Sequence, residues 1–404
     1  MHILLIHQAF AALDEAGGTR HHEMARFLVA QGHKVTIIAS SVSYLTGGAH
    51  LKKIPWKSSE EPEPGITILR TFTYPALHKS FIHRVFSFFS FMFSSFWVGL
   101  GVRSIDLVWG TSPPIFQGVT AWLLARLKRV PFLFEVRDLW PAFAIAVGVL
   151  KNRTLIRLSE WLERFLYRRA DRVVVNSPGF IPHVTARGAR FVELVPNGAD
   201  PDMFTPETDG REFLAQHQLD RKFVAMYAGA HGLSNDLGVV LQAAAQLTDR
   251  PDIQVVFVGD GKEKLALVAQ AMQLKLHNVS FIPSQPKSQM ADILAAADAC
   301  IAILKPIDLY RTTYPNKVFD YMAAGRAVIL AIGGVICDVI TQENAGLAVT
   351  PGDPTELAAA IRRLADDKDL TKALGAAGRI AVENRYNRNK FSQQFNLLLE
   401  DMVR

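Results

Sequence analysis

The chain has few cysteines and little charge. Its 404 residues include only Cys300 and Cys337, so no disulfide framework can hold it, and a buried free thiol is expected at both positions. Only 20% of the residues are charged while 49% are hydrophobic, which excludes a disordered chain and supplies large cores. The start, Met1 to His7, lacks a basic region, a long apolar stretch and a small-residue cleavage site. It reads as a first β-strand, and a cytoplasmic location is expected. No Gly-x-Gly-x-x-Gly follows that strand, which argues against a dinucleotide-dependent oxidoreductase. Aromatics alternating with Lys or Arg are also missing, so no nucleic-acid partner is expected.

What is present is a net charge of +6 and a pI near 9.2, pointing to an anionic partner. Short β-branched apolar runs alternate with helical patterns almost throughout, the pattern of βαβ units and parallel sheets. The runs predict strands at 3–7, 34–39, 66–71, 107–110, 132–135, 172–175 and 191–195, then at 223–228, 253–258, 279–282, 299–304, 328–331 and 346–349. Two sheets of six or seven strands follow. The segment 196–206, dense in Pro, Gly, Asn and Asp, is the expected boundary, and turn chemistry accounts for its Asp-Pro-Asp at 200–202. The expected domains are 1–198 and 207–385, with a last helix in 386–404 whose apolar face of Phe391, Phe395, Leu398 and Met402 returns to the first domain.

Parallel sheets bind ligands beyond the carboxyl ends of their strands, so function is expected in the loops that follow strands, around an interdomain cleft. Ala16-Gly-Gly-Thr-Arg20 comes after the first strand and before a helix whose N-H groups suit a diphosphate. Glu135-Val-Arg-Asp-Leu-Trp-Pro141 ends another strand, with a plain Arg137–Asp138 surface pair as the rival reading. Val258-Gly-Asp-Gly-Lys-Glu-Lys264 opens a helix with Lys262 and Lys264 in its first turn, where an anionic partner would offset the helix dipole. Pro315 to Gly325 carries Lys317, Asp320 and Tyr321 on one helix, with Gly325 as its C-terminal cap. His21 and His22 are candidate proton acceptors, although partly exposed bystanders are the expectation.

Gly17 to Arg20, Glu135 to Pro141, Val195 to Asp200 and Pro315 to Gly325, in this order across both halves, make the chain resemble a family 4 glycosyltransferase. The similarity extends to the N-acetyl-L-fucosamine transferases of O-antigen and capsule assembly. It implies the α/β GT-B architecture of two Rossmann-like parallel-sheet domains. It also implies a hexosyl or N-acetylhexosaminyl transfer, probed first with UDP-sugars, that retains anomeric configuration. The resemblance places Gly17, Gly18 and Lys317 at the donor diphosphate, with Asp320 as the second acid of a Glu-x7-Glu pair that binds the ribose; Arg20, Gly229, Gly232 and Gly259 are further donor-site candidates, and Lys262, Lys264 and Lys317 are candidates for the positive charge the donor needs. Thr312 stands where the first acid would be, and Gly229 to Ser234 replaces a familiar Arg and Lys pair. Asp138 and Arg137 are the expected catalytic residues on the acceptor side. No metal and no cofactor are expected, because cationic side chains can stabilise the leaving diphosphate.

Val85 to Val102 has no charged residue and is bracketed by Arg84 and Arg103; as a helix it spans roughly 27 Å. Because it joins two strands of one sheet, it is expected to lie in the membrane interface rather than cross it. Ser80, Ser87, Ser90 and Ser94 would form a hydroxyl stripe. Phe88, Phe89, Phe96 and Arg84 would meet the membrane or a lipid-linked saccharide acceptor, with Lys79, Arg103 and the basic residues of 151–169 facing anionic headgroups. Two rival readings stay open: a sugar-nucleotide epimerase on the same architecture, and a two-lobed ligand-binding protein.

Overall fold

The computed structural model describes residues 1–12, 19–43, 55–75 and 81–404. Gly17, Gly18, Lys79 and Ser80 lie outside them. The chain forms two units, Met1–Val195 with Asn389–Arg404, and Pro196–Arg388. The 196–206 segment is therefore part of the second unit. Asp200 Oδ1 there accepts the N-H groups of Asp202 and Met203, the turn use of an Asp side chain.

The first unit holds β1 (His2–Ile6), β2 (Lys34–Ser40), β3 (Lys57–Glu63), β4 (Ile66–Thr71), β5 (Leu107–Ser112), β6 (Phe132–Val136), β7 (Arg172–Val175) and β8 (Val192–Leu194). Their spatial order is β3-β4-β2-β1-β5-β6-β7-β8. All neighbours pair in parallel except β3, which is antiparallel to β4. The apolar runs do not predict β3, because Lys57-Ser-Ser-Glu-Glu-Pro-Glu63 contains no apolar position except proline. An edge strand needs none, and its charges and Pro62 discourage further pairing. The second unit holds β9 (Phe223–Ala228), β10 (Ile253–Val258), β11 (Val279–Ile282), β12 (Ala299–Ile303), β13 (Ala327–Ala331) and β14 (Gly346–Ala348), in the order β11-β10-β9-β12-β13-β14. Among the described residues the sheets have eight and six strands, against the expected six or seven each.

In the first unit, α1 (Arg20–Ala30) leads from β1 to β2, whereas α3 (Phe116–Lys128) leads from β5 to β6 in the opposite direction across the sheet. Right-handed crossovers in opposite directions put helices on opposite faces. Met24, Ala25 and Leu28 of α1 share a core with Ile3, Leu5 and Trp109, and the C-terminal helix Arg388–Val403 adds Phe395 and Leu399 to the same core. Trp109 and Phe395 meet at 4.7 Å between ring centroids.

On the other face, α2 (Phe81–Leu100) lies beside α3. Besides Phe91 and Val98, its buried side carries serines. The serines point inward: Ser94 Oγ donates to the Phe72 carbonyl at 2.6 Å, Ser90 Oγ accepts the Tyr74 N-H at 2.8 Å, and Ser87 is buried. Gly99 is needed for this approach, since a Cβ there would come within 2.5 Å of Leu124 Cδ1. Small residues let α2 sit close to sheet and neighbour; Phe91 is buried on the same side, and four other large rings are left outside. The exposed side chains are Phe86, Phe89, Phe93 and Trp97, at 61%, 45%, 58% and 53%. Of the expected surface residues Phe89 is exposed, while Phe88, Phe96 and Arg84 are half-buried, with Phe88 stacked on Phe116. No helix among the described residues is long and apolar enough to cross a membrane. Cys300 is buried, its thiol pushed up to about 12 by burial, and Cys337 is half-buried rather than buried.

Candidate functional site

In the second unit the loops after β9 and β10 press together, backbone on backbone. Gly229, Gly259 and Gly261 take φ of +146°, +149° and +155°, values that side chains rarely allow. A Cβ on Gly259 would lie 2.0 Å from the Gly229 carbonyl oxygen, and one on Gly261 would lie 2.5 Å from that of His231. The His231 N-H donates to the Asp260 carbonyl at 2.8 Å, and the Glu263 N-H donates to the His231 carbonyl at 3.0 Å. His231 itself is fully buried, neither ring nitrogen has a hydrogen-bond partner among the described residues, and burial lowers it to about 4. Nothing in the sequence singled it out, because a lone histidine in a glycine loop gives no sign of its burial. Gly232 accepts the Asn235 N-H in the following turn.

Onto these loops sits the helix Asn316–Ala323. Tyr321 Oη donates to the Ala228 carbonyl at 2.9 Å and accepts the Ala228 N-H at 3.1 Å, fixing the helix to the end of β9. Gly325 ends the helix at φ +66°, with the Arg326 N-H returning to the Tyr321 carbonyl and the Gly325 N-H to the Met322 carbonyl, a Schellman cap. Lys317 and Asp320, although one turn apart, diverge. Lys317 Nζ stands 3.9 Å from the centroid of the Tyr227 ring and directly over Gly229, where a Cβ would come within 2.6 Å of it. Among the described residues it has no carboxylate or carbonyl partner, and burial lowers it to about 7. Asp320 instead faces Arg388, at 3.6 Å. Thr312 ends a turn by donating from Oγ1 to the Leu309 carbonyl at 2.6 Å.

The other expected cations are arranged differently. The helix after β10 begins at Lys264, so Lys262 is an exposed turn residue outside it. Lys264 Nζ folds back to donate to the Gly259 carbonyl at 2.8 Å and pairs with Asp260 at 3.6 Å. The loop itself therefore answers the charge at that helix start, and among the described residues Lys317 is the half-buried one of these cations without an acidic partner.

In the first unit the carboxyl ends of β1 and β6 carry a buried polar cluster. Glu135 is fully buried and receives Arg20 Nη2 at 3.2 Å and His21 Nε2 at 2.6 Å. Arg20, expected at the donor, also donates to the Val195 carbonyl and points inward. His21 and His22 are buried, not partly exposed: the first turn of α1 lies under the sheet ends, which a sequence pattern does not reveal. His7 is fully buried against His21, with 4.3 Å between rings and no partner for either nitrogen among the described residues. Burial lowers His7 and His21, so His21 is neutral and its Nε2-H donates to an ionised Glu135. His21, Arg20 and Arg137 together hold Glu135 well below the usual carboxylate range, against the opposing effect of burial.

Asp138 follows at the end of β6. Its side chain is exposed, yet enough protein surrounds it to push its carboxyl up to about 6 against the pull of Arg137. The two form no ion pair among the described residues, which removes the surface-pair reading; Arg137 instead donates its N-H to the Ser112 carbonyl at 3.1 Å. No group of three His, Cys, Asp or Glu side chains that could hold a metal is present among the described residues.

Residues 16–198 match the glycosyl transferase 4-like domain, and residues 222–367 match the glycosyl transferases group 1 domain. Among curated proteins, the putative colanic acid biosynthesis glycosyl transferase WcaI of Escherichia coli K12 is 27% identical over 356 residues, covering 84% of this chain and 86% of WcaI. Among solved structures, sucrose-phosphate synthase from Thermosynechococcus elongatus superposes with a TM-score of 0.80 at 20% identity, covering 99% of this chain and 98% of its own. Anabaena HepE in complex with UDP-glucose gives 0.74 at 17% identity, covering 99% and 100%. These structural likenesses establish the fold. Both matched domains are glycosyl transferase domains, so neither an epimerase nor a binding protein is the reading they support.

Proposed function

The chain is a glycosyltransferase with two Rossmann-like units, and from that premise we propose that it moves a sugar from a nucleoside diphosphate, with UDP the first candidate, to a lipid-linked saccharide in surface polysaccharide assembly. The observation that carries the donor half is Lys317. A half-buried ammonium over an aromatic ring, above a glycine and without an acidic partner, is a cation prepared for an anion that arrives from solution. The leaving diphosphate gains charge as the glycosidic bond breaks, and Lys317 would stabilise it with no metal required. Asp320 would take the ribose. On the acceptor side Asp138, with its carboxyl raised to about 6, would handle the acceptor hydroxyl, with Arg137 beside it and with retention of anomeric configuration. Thermal shift tests the donor half: a ligand at about 100 times its Kd stabilises by about 2.7 kcal/mol. UDP is expected to raise the melting midpoint, and no response to UDP, GDP or ADP would contradict the reading.

The lipid half rests on the outer surface of α2. Trp56 meets Phe93 at 6.2 Å and Phe93 meets Trp97 at 6.2 Å, while Tyr74 meets Phe86 at 6.3 Å, so the exposed rings form two contacting groups along one helix. The helix Arg153–Arg169, beside α3, exposes Leu155, Leu158 and Trp161 among Arg153, Arg157 and Arg164. Exposed rings flanked by arginine suit an anionic lipid surface. Replacing Phe86, Phe93 and Trp97 together with Ser is expected to move the protein from the floating to the soluble fraction with vesicles rich in phosphatidylglycerol, at unchanged melting temperature. Unchanged flotation would sink this half. Ser at half-buried Phe88 or Phe96 would disturb packing and is a poorer probe.

A further inference from the structure

Tyr227 stands next to last in β9, and its side chain is fully buried. It belongs to the core on one face of the second sheet, in a row with Phe257 of β10 at 6.3 Å and Phe281 of β11 beyond it. The helix that carries Lys317 packs into the core on the other face. Lys317 nevertheless brings its Nζ to 3.9 Å from the centroid of the Tyr227 ring. It reaches across because position 229 has no side chain: a Cβ on Gly229 would lie 2.6 Å from Nζ and 3.6 Å from Tyr227 Oη. Tyr227 Oη donates to the Ala230 carbonyl at 2.8 Å, which fixes the ring to the same loop. Glycine, ring and ammonium thus meet at one point, at the carboxyl end of β9.

The titratable and charged groups around this ammonium are His231 from the loop after β9, Lys264 and Asp260 from the loop after β10, Tyr227 and Tyr321, and Asp320 on its own helix. Lys264 and Asp260 pair with each other at 3.6 Å, and Asp320 faces Arg388 at 3.6 Å. Burial lowers His231 to about 4 and pushes both tyrosines up, so all three are neutral. Among the described residues the Tyr227 ring is therefore the group in contact with Nζ that favours its charged form, against burial, which lowers Lys317 to about 7. A diphosphate beside Nζ would favour that form further.

We propose that Tyr227 is a positioning residue for donor binding: its ring holds the Lys317 ammonium over Gly229 and keeps it protonated, so that loss of the ring weakens diphosphate binding only where Lys317 titrates. Where Lys317 is neutral in the free protein, binding adds one proton from solvent to Nζ. The proposal rests on Lys317 being the diphosphate cation, as in the function proposed above. Tyr227, buried beneath the ammonium, touches no ligand itself.

The test compares UDP affinity at about pH 5.5 and about pH 8.5 by calorimetry on the full chain, each variant against the original protein at the same pH, so that the ligand's own ionisation cancels. Tyr227→Leu removes the ring and keeps an apolar side chain. It is expected to bind UDP about tenfold more weakly at the higher pH and within about twofold at the lower, because losing the cation–π attraction lowers the lysine by about one pH unit. Unchanged affinity at the lower pH also reports a folded site. Tyr227→Phe, which keeps the ring, is expected to keep the original ratio of the two affinities. A second measurement needs no change at Tyr227: heats in buffers of different ionisation enthalpy are expected to show about one proton taken up per UDP at the higher pH, and none for Lys317→Met. If Tyr227→Leu keeps the original ratio, or weakens UDP alike at both pH values, the proposal is overturned and Tyr227 is structural only. Absence of proton uptake by the original protein, or its persistence in Lys317→Met, overturns it as well. An original protein that binds UDP at neither pH contradicts the donor reading itself, and the proposal falls with it.

Discussion

Replacing Lys317 with Met is expected to weaken nucleoside diphosphate binding about 100-fold, the loss of about 3 kcal/mol from one charge-assisted contact, while making the free protein more stable at neutral pH. Both effects come from the same arrangement. In the free protein the ammonium has lost water on most sides and has only the Tyr227 ring, 3.9 Å away, in return. Burial lowers it to about 7, against about 10.4 for a lysine in the unfolded chain. Between these values the unfolded chain binds the extra proton, so this group's contribution to stability rises with pH from about 7 to about 10 and is least favourable below 7. Methionine fills similar space without the charge. Its advantage is expected to be about 1–3 kcal/mol below pH 7, after subtracting the cation–π attraction, and to shrink as pH rises. Chemical denaturation at pH 6, 8 and 10 measures it. A Lys317→Met protein that is less stable than the original at pH 6, or that binds UDP unchanged, would show that the ammonium is a satisfied structural group.

The second large effect is on stability alone. Glu135→Ala is expected to destabilise the first unit by about 3–5 kcal/mol, because it leaves Arg20 buried without its carboxylate and His21 without its acceptor. At about 2–4 °C per kcal/mol this is a fall of about 10 °C in melting temperature. Glu135→Gln, which keeps an acceptor oxygen for one of the two, is expected to fall about half as far. The pH dependence has a definite sign. His21 is lowered, so its contribution is complete above the unfolded histidine value near 6.5 and is lost as pH falls below it. Glu135 is held well below its unfolded value near 4.3, so its contribution is lost only as pH falls below that. The original protein should therefore lose stability in two steps on acidification, and the Gln variant should lack the lower one. Urea midpoints from pH 7 to pH 3 separate the two, and a single unchanged profile would remove Glu135 from the account.

The parallel strands were legible because they are buried on both faces and read as continuous apolar runs. Residues 66–71, 172–175, 223–228, 253–258 and 279–282 fall where the pattern places them. The polar edge strand β3 was not legible, because its partner lies on one side only and no face of it requires burial. On α2 the composition identified an apolar helix but not which side faces outward. The serines read in sequence only as a hydroxyl stripe; in the fold they lie on the side of close contact, where small side chains let the helix approach and Phe91 is buried beside them. Arg20, His21 and His22 show the same limit: as charged or polar residues opening a helix they suggest solvent, and only the fold shows that all three are buried, Arg20 and His21 around Glu135 and His22 beside Phe10.

By itself the sequence determined the two α/β halves, the boundary near Pro196 and the positions of the loops that follow the strands, because these follow from periodicity and from turn chemistry within a few residues. Tertiary structure alone decided that Lys317, half-buried, has no acidic partner among the described residues, which rings are left outside, and that Asp320 looks to Arg388 rather than to Lys317. Such outcomes depend on how much water each group loses and on partners far along the chain, and no local spacing encodes either.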